Sequence, residues 1–258
     1  MAITHLTDLH THYDETVYEG KRRETLLAQR EAGVCGIVNS GSDLPSSQRS
    51  IDLAAEYDFV WASVGVFPLS AYTVPEGWLD EIRRLAKQPR VVAIGEIGLD
   101  YRLPETDAEK QKQVFHPQLD LARELKLPVV IHDCLADDDV LSALRVCPVP
   151  AMIHRFFSGL AYGRKFVEMG VHLGIGPAIT YPDAGELIAL VKEMPIELLL
   201  LETDCPFLPT QRFEGQPATS DMLEDVVEAI ARARGDITPQ EVAEVAKQNA
   251  ERFLGIRF

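Results

Sequence analysis

Four of the seven histidines in this 258-residue sequence, together with three acids, stand where short apolar runs end. The first run closes on Asp8-Leu9-His10-Thr11-His12. In an extended strand alternate side chains share a face, so Asp8, His10 and His12 fall together and two imidazoles at i and i+2 can chelate one metal ion. A later run, Val91–Ile94, leads into Gly95-Glu96-Ile97-Gly98-Leu99-Asp100; Pro128–Ile131 ends at His132, Ala151–Ile153 at His154, and Leu198–Leu201 at Glu202-Thr203-Asp204. By the same alternation Glu202 and Asp204 share a face. Taken singly, each has an ordinary explanation: a His-x-His at a strand exit, a hydrogen-bonded rim histidine, an acid kept at the rim because burial without a partner is costly. Their joint placement points to metal chemistry. Imidazole with carboxylate suits zinc, manganese, nickel or iron, and Mg²⁺ less naturally. His10, His12, Glu96, His132, His154 and Asp204 exceed the needs of one tetrahedral ion. Two divalent ions about 3.5–4 Å apart, sharing a carboxylate, would use them, activating water and polarising a phosphoryl or carbonyl group.

Such a set must be carried on elements that bring strand ends together. Strand-like runs are read at Ile3–Leu9, Val34–Ser40, Phe59–Val66, Val91–Glu96, Val129–His132, Ala151–Phe156, Val171–Ile175 and Leu198–Glu202. Amphipathic stretches lie between them: Lys21–Glu31, Ser46–Tyr57, Glu76–Lys87, Asp107–Leu125, Ala136–Leu144, Gly159–Met169 and Ala184–Glu193. Two further helices, Ser220–Arg234 and Thr238–Leu254, follow, the latter with a capped start in Thr238-Pro239-Gln240-Glu241. Strands alternating with helices give an α/β fold with a parallel sheet. Eight units in about 250 residues favour a (β/α)8 TIM barrel in one domain, 1–258, and the carboxyl ends of barrel strands build the active site. No Gly-x-Gly-x-x-Gly follows the first strand, which argues against a dinucleotide-binding sheet.

The net charge is −15. It disfavours a nucleic-acid module acting through a broad basic face but not phosphate chemistry at metal ions in a local cleft. Cys35, Cys134, Cys147 and Cys205 form no Cys-x-x-Cys pair, the start MAITHLTDLH lacks a basic segment leading into an apolar one, and no run reaches the roughly 18 apolar residues of a membrane span. The expectation is a cytoplasmic protein with free thiols and no membrane partner. Oligomeric state stays open.

With Ser158-Gly159 after His154-Arg155-Phe156-Phe157, and Cys205-Pro206 after Leu201–Asp204, these motifs in this order resemble the TatD family from the first strand to Pro217. Ile175–Pro182 and Glu214-Gly215-Gln216-Pro217 resemble its YjjV-like branch. The resemblance implies an amidohydrolase-like barrel and a metal-dependent deoxyribonuclease, often a 3′–5′ exonuclease. By position, His10, His12, Glu96 and Asp204 would hold one ion and Glu96, His132 and His154 the other, with Glu96 bridging. Asp204 would accept the proton of the attacking water. Glu202 would support Asp204 or bind a third ion.

Three positions depart from the family pattern. Phe67 stands where a histidine is usual, Cys134 where an arginine is frequent, and Gly215-Gln216-Pro217 where Asn-Glu-Pro is common. An arginine–phosphate pair lost at 134 forfeits on the order of 1.5–3 kcal/mol. The expected function is a metal-dependent phosphodiesterase acting on single-stranded DNA 3′ ends or another phosphoester. Phe67 and the acidic charge keep open a hydrolase of small esters, amides or phosphotriesters. The lost phosphate contacts keep open a metal-binding, non-catalytic subunit with a protein partner. Cys134 and Cys205 read as soft-ion ligands, oxidisable thiols or small apolar fillers. Asp100, Tyr101 and Arg102 read as substrate contacts or ordinary loop polarity.

Overall fold

The computed structural model describes residues 3–103 and 105–258. Strands and helices alternate: β1 (Leu6–Thr11), α1 (Arg22–Glu31), β2 (Val34–Ser40), α2 (Leu44–Glu56), β3 (Val60–Val64), α3 (Trp78–Leu85), β4 (Val91–Asp100), α4 (Ala108–Leu125), β5 (Val129–Cys134), α5 (Asp137–Val146), β6 (Ala151–Ile153), α6 (Gly159–Glu168), β7 (His172–Ile175), α7 (Gly185–Glu193), β8 (Leu199–Leu201), α8 (Leu223–Arg234) and α9 (Pro239–Leu254). The eight strands form one sheet in sequence order. This is the (β/α)8 fold that the alternation of elements implies. No helix among the described residues is long and apolar enough to cross a membrane.

The chain divides into two compact units: residues 3–38, 155–252 and 256–258, and residues 39–154 with 253–255. In the first, β7 pairs parallel with β8, and Thr11 at the end of β1 bridges to Cys205 just beyond β8. Its core comprises the inward stripes of its helices, such as Phe166, Leu190, Val226 and Ile230, and the strand residues Leu6, Leu173 and Leu200, all buried. The start of α9 is capped as its sequence suggests: the Thr238 N–H and hydroxyl donate to Glu241, and the Glu241 N–H donates back to the Thr238 oxygen. At Gly36 the absent side chain lets the Phe258 ring lie close against β2.

In the second unit β3, β4, β5 and β6 pair in parallel. The β4–β5 register shifts between Ile94 and Ile97: three residues advance on β4 while two advance on β5. Such a bulge re-aims a side chain and raises local twist; here the residue it re-aims is Glu96, whose N–H donates to the Gly41 carbonyl. Beyond the bulge Gly98 (φ +140°) lies so near the His132 carbonyl that no side chain would fit. Two buried glutamines of α4 complete backbone pairing where the strands end. Gln111 accepts from the Asp100 N–H and donates to its carbonyl, and Gln118 does the same for Val66.

Several boundaries differ from the sequence reading, for local reasons. β1 starts at Leu6 rather than Ile3 because His5 has a left-handed backbone (φ 64°). β6 stops at Ile153 and β8 at Leu201 because Arg155 (φ 45°) and Asp204 (φ 56°) turn left-handed. β4 runs on to Asp100 rather than ending at Glu96, because the bulge lets Ile97 and Leu99 return to the core.

Candidate metal centre

The first unit holds three of the expected ligands together. His10 and His12 turn their Nε2 atoms toward each other at 3.1 Å, and both face Asp204 Oδ1, at 3.7 and 3.5 Å. The backbone fixes this meeting: the Asp204 N–H donates to the His10 carbonyl and the His12 N–H to the Cys205 carbonyl. Asp8, on the same strand, holds Thr203 instead, accepting from its N–H at 2.9 Å and its hydroxyl at 2.6 Å. Complete burial, only partly offset by hydrogen bonds from Ser220 and Thr203, pushes the Asp8 carboxyl up to about 7.

Alternation does not govern Glu202 and Asp204, because both lie beyond β8 and Asp204 adopts the left-handed conformation. Their carboxylates do different work. Glu202 Oε1 accepts the Arg155 backbone N–H at 2.9 Å, in a space kept open by Gly176, where a Cβ would come within 2.9 Å of that oxygen. Asp204 Oδ2 pairs with Arg155 Nη1 at 2.9 Å. Glu202 thus bears on Asp204 through Arg155. Cys205 is fully buried, and burial first, then the nearby Asp8 charge, pushes its thiol up to about 12. It stays protonated at neutral pH, which favours its reading as a small filler.

The second unit holds the other three. Glu96 Oε1 lies 3.1 Å from His132 Nδ1 and 3.0 Å from His154 Nε2, and these two nitrogens are 3.1 Å apart. Behind His132, Asp100 Oδ2 takes the other ring nitrogen at 3.1 Å. Burial opposes protonation of His132, but the bonds to Asp100 and Glu96 outweigh it and hold its pKa above the ordinary imidazole value. Burial likewise opposes ionisation of Asp100, and the bonds from His132 and Arg102 prevail, holding that carboxyl well below the usual range. Phe67 packs its ring edge-on against His132, with centroids 4.7 Å apart. Asp100, His132 and Cys134 also bring potential ligand atoms within 4.8 Å of one another.

The donors fit a divalent cation. Ligand atoms about 2.0–2.1 Å from one ion sit roughly 3 Å from each other, as Glu96, His132 and His154 do. Asp100 behind His132 supplies the carboxylate–imidazole support that fixes a ligand's tautomer. Sequence reasoning left two participants without a firm role. Asp100 read equally as loop polarity, because the Glu96 bulge conceals that the strand continues. Arg155 carried no assignment, and its only signal was a cation directly after a strand-end histidine.

The sequence model of the TatD related DNase family matches residues 7–255. The chain belongs to the TatD related DNase family. It is 34% identical over 254 residues to the uncharacterized metal-dependent hydrolase YabD of Bacillus subtilis, covering 97% of this chain and 99% of that one. It is 32% identical over 259 residues to the 3′-5′ ssDNA/RNA exonuclease TatD of Erwinia tasmaniensis, covering 96% and 99%. The crystal structure of YjjV, a TatD homolog from Escherichia coli, superposes with a TM-score of 0.92 at 28% identity over 98% of each chain. As a TatD family member the chain is a metal-dependent hydrolase. Against the family pattern, Phe67 gives His132 an apolar neighbour, and Cys134 stands beside Asp100 on the paired strand.

Proposed function

We propose that this TatD family hydrolase is a phosphodiesterase that removes nucleotides from single-stranded DNA 3′ ends with two divalent ions. His10, His12 and Asp204 hold one ion, and Glu96, His132 and His154 the other. The observation that carries this reading is the close triangle of Glu96, His132 and His154, buttressed by Asp100. Bound there, divalent cations lower the pKa of water, polarise a phosphoryl oxygen and stabilise the departing oxygen. The chain's own groups do the rest. Asp204 accepts the proton of the attacking water at a carboxylate oxygen. Arg155 and the His10–His12 pair fix the orientation of that carboxylate. Glu202 acts at one remove as a positioning residue, by holding the Arg155 backbone. Asp100 keeps His132 in the tautomer that leaves Nδ1 available. The whole chain, 1–258, forms one domain, and the continuous family match supports that. Four thiols without a disulfide support a reducing, cytoplasmic setting.

Nucleotide release from a 5′-labelled single-stranded oligonucleotide, with Mg²⁺, Mn²⁺ or Zn²⁺, tests this. Progressive shortening from the 3′ end by wild type, lost in Glu96→Ala and His132→Ala, is expected; wild type as inert as both variants in every metal contradicts it. One observation favours a second reading: Phe67 lays an apolar ring on His132 where a polar group would serve a phosphate. A small neutral ester or amide would then be the substrate, and a parallel screen of such compounds distinguishes the two.

A further inference from the structure

We propose that Arg155 is the residue that selects an anionic substrate, gripping a non-bridging phosphate oxygen beside Asp204. The inference deepens the phosphodiesterase reading and rests on it for the identity of the anion.

The residue is placed as a clamp rather than as a stray surface cation. Its backbone is left-handed (φ 45°), a conformation that carries a cost for a non-glycine residue. What secures that turn is the buried Glu202 carboxylate on its N–H, seated against Gly176. The turn sends the side chain to Asp204, where Nη1 donates to Oδ2. A guanidinium carries five N–H donors in a rigid fork. Among the described residues no other hydrogen bond from this guanidinium is found, so Nε and Nη2 keep their donors. The side chain is 41% exposed, while Asp204 beside it is almost wholly buried. One end of the fork is therefore anchored on the group that takes the proton, and the remaining donors belong to a side chain that is 41% exposed.

The chemistry of that arrangement is specific. His10, His12 and Asp204 by themselves offer an incoming phosphate acceptors or metal ligands, with no fixed donor. Arg155 adds a permanent positive charge whose planar fork matches two phosphate oxygens. A neutral ester gains little from it, and a phosphodiester gains a charge-assisted bond. Arg155 is thus a specificity-determining residue: it answers locally for the acidic charge of the whole chain, and it binds next to the base that activates water.

The test uses the full-length, manganese-loaded protein with Arg155→Met, which keeps the stem, and Arg155→Lys, which keeps the charge. Both place the same backbone demand on the turn as arginine does. Inorganic phosphate affinity is measured by calorimetry, independently of turnover, with metal content as the fold control. Turnover is measured on thymidine 5′-p-nitrophenyl phosphate and on neutral p-nitrophenyl acetate. Arg155→Met is expected to weaken phosphate binding by about 10- to 100-fold with metal content unchanged. KM for the phosphodiester rises by a similar factor; losing the Asp204 contact lowers kcat for both substrates, and losing the anion contact raises KM for the phosphodiester alone, so the phosphodiester suffers more than the neutral ester. Arg155→Lys recovers most of the phosphate affinity, which a purely structural role would not predict. The proposal is overturned if wild type binds no phosphate, if Arg155→Met binds it as tightly as wild type, or if both substrates suffer equally. Phosphate bound through Arg155 with no phosphodiester turnover would leave the anion clamp standing and refute the nuclease reading.

Discussion

The two ligand sets differ in how they are held. Glu96, His132 and His154 sit on β4, β5 and the exit of β6. The β4 bulge aims Glu96 inward, and Asp100 fixes His132 from behind. His10, His12 and Asp204 instead join a strand to a post-strand hook, with Asp204 in a left-handed conformation and tied to a half-exposed arginine. In the first, a carboxylate stands behind one imidazole, and Arg102 in turn pairs with that carboxylate. In the second, an arginine pairs with the cluster's own carboxylate. On the proposed function each set holds an ion, and this contrast gives the proton-transfer step to the β1–β8 set.

The largest effect separates them most sharply. His132→Ala or Glu96→Ala is expected to remove a metal equivalent and on the order of 10³-fold or more of the activity, read by elemental analysis and oligonucleotide shortening. Asp204→Asn keeps the ion held by the β4–β6 set and loses kcat by about 10²- to 10⁴-fold. Loss of both equivalents in Asp204→Asn, or its full activity, would break the distinction.

Next comes the support behind His132. Asp100→Asn keeps the shape and removes the charge, and metal affinity is expected to fall about 10- to 100-fold, measured by competition with a chelating dye. An unchanged affinity would mean that Asp100 contributes only its ion pair with Arg102.

The pH dependence sharpens the same point. In metal-free protein, Asp100 and Glu96 raise the folded-state pKa of His132 above its unfolded value. The resulting stabilisation is fully present below the ordinary imidazole pKa of about 6.5 and is lost as pH rises through the raised folded value. The melting temperature of the metal-free protein should therefore fall as pH climbs above 6.5, by less in Asp100→Asn. Metal binding must displace that proton, so affinity at this set weakens as pH is lowered. A flat melting temperature in both proteins would contradict the Asp100–His132 bond.

The smallest effect concerns Phe67. Replacing it with histidine removes an apolar neighbour of His132 and offers a polar contact. KM for a phosphodiester is expected to fall severalfold, within about one hydrogen bond's worth of roughly 1 kcal/mol. A rise in KM would favour the neutral-ester reading instead.

Much of this was legible in the residues. Alternating apolar runs and capped helices locate the eight strands and their helices, and the strand-end histidines and acids mark both sets. The fold comes through because periodicity is local: Val34–Ser40 is a strand at the boundaries its sequence suggests. The site comes through less completely because its details depend on breaks in that periodicity. A bulge at Glu96 conceals the reach of β4 to Asp100, and left-handed turns at Arg155 and Asp204 end strands earlier than propensity implies. Alternation paired Glu202 with Asp204, yet the turn sends one carboxylate to a backbone N–H and the other to two histidines and an arginine. Asp8 was legible as a strand residue but not as the clamp on Thr203, a partner 195 positions away in sequence.

The metal content of purified protein, measured by elemental analysis beside His132→Ala and Asp204→Ala, tests the two-set account most directly. Two equivalents in wild type, and retention of one by each variant, is the expected result. A wild-type protein holding none, or one equivalent whose loss follows either substitution alike, would contradict it.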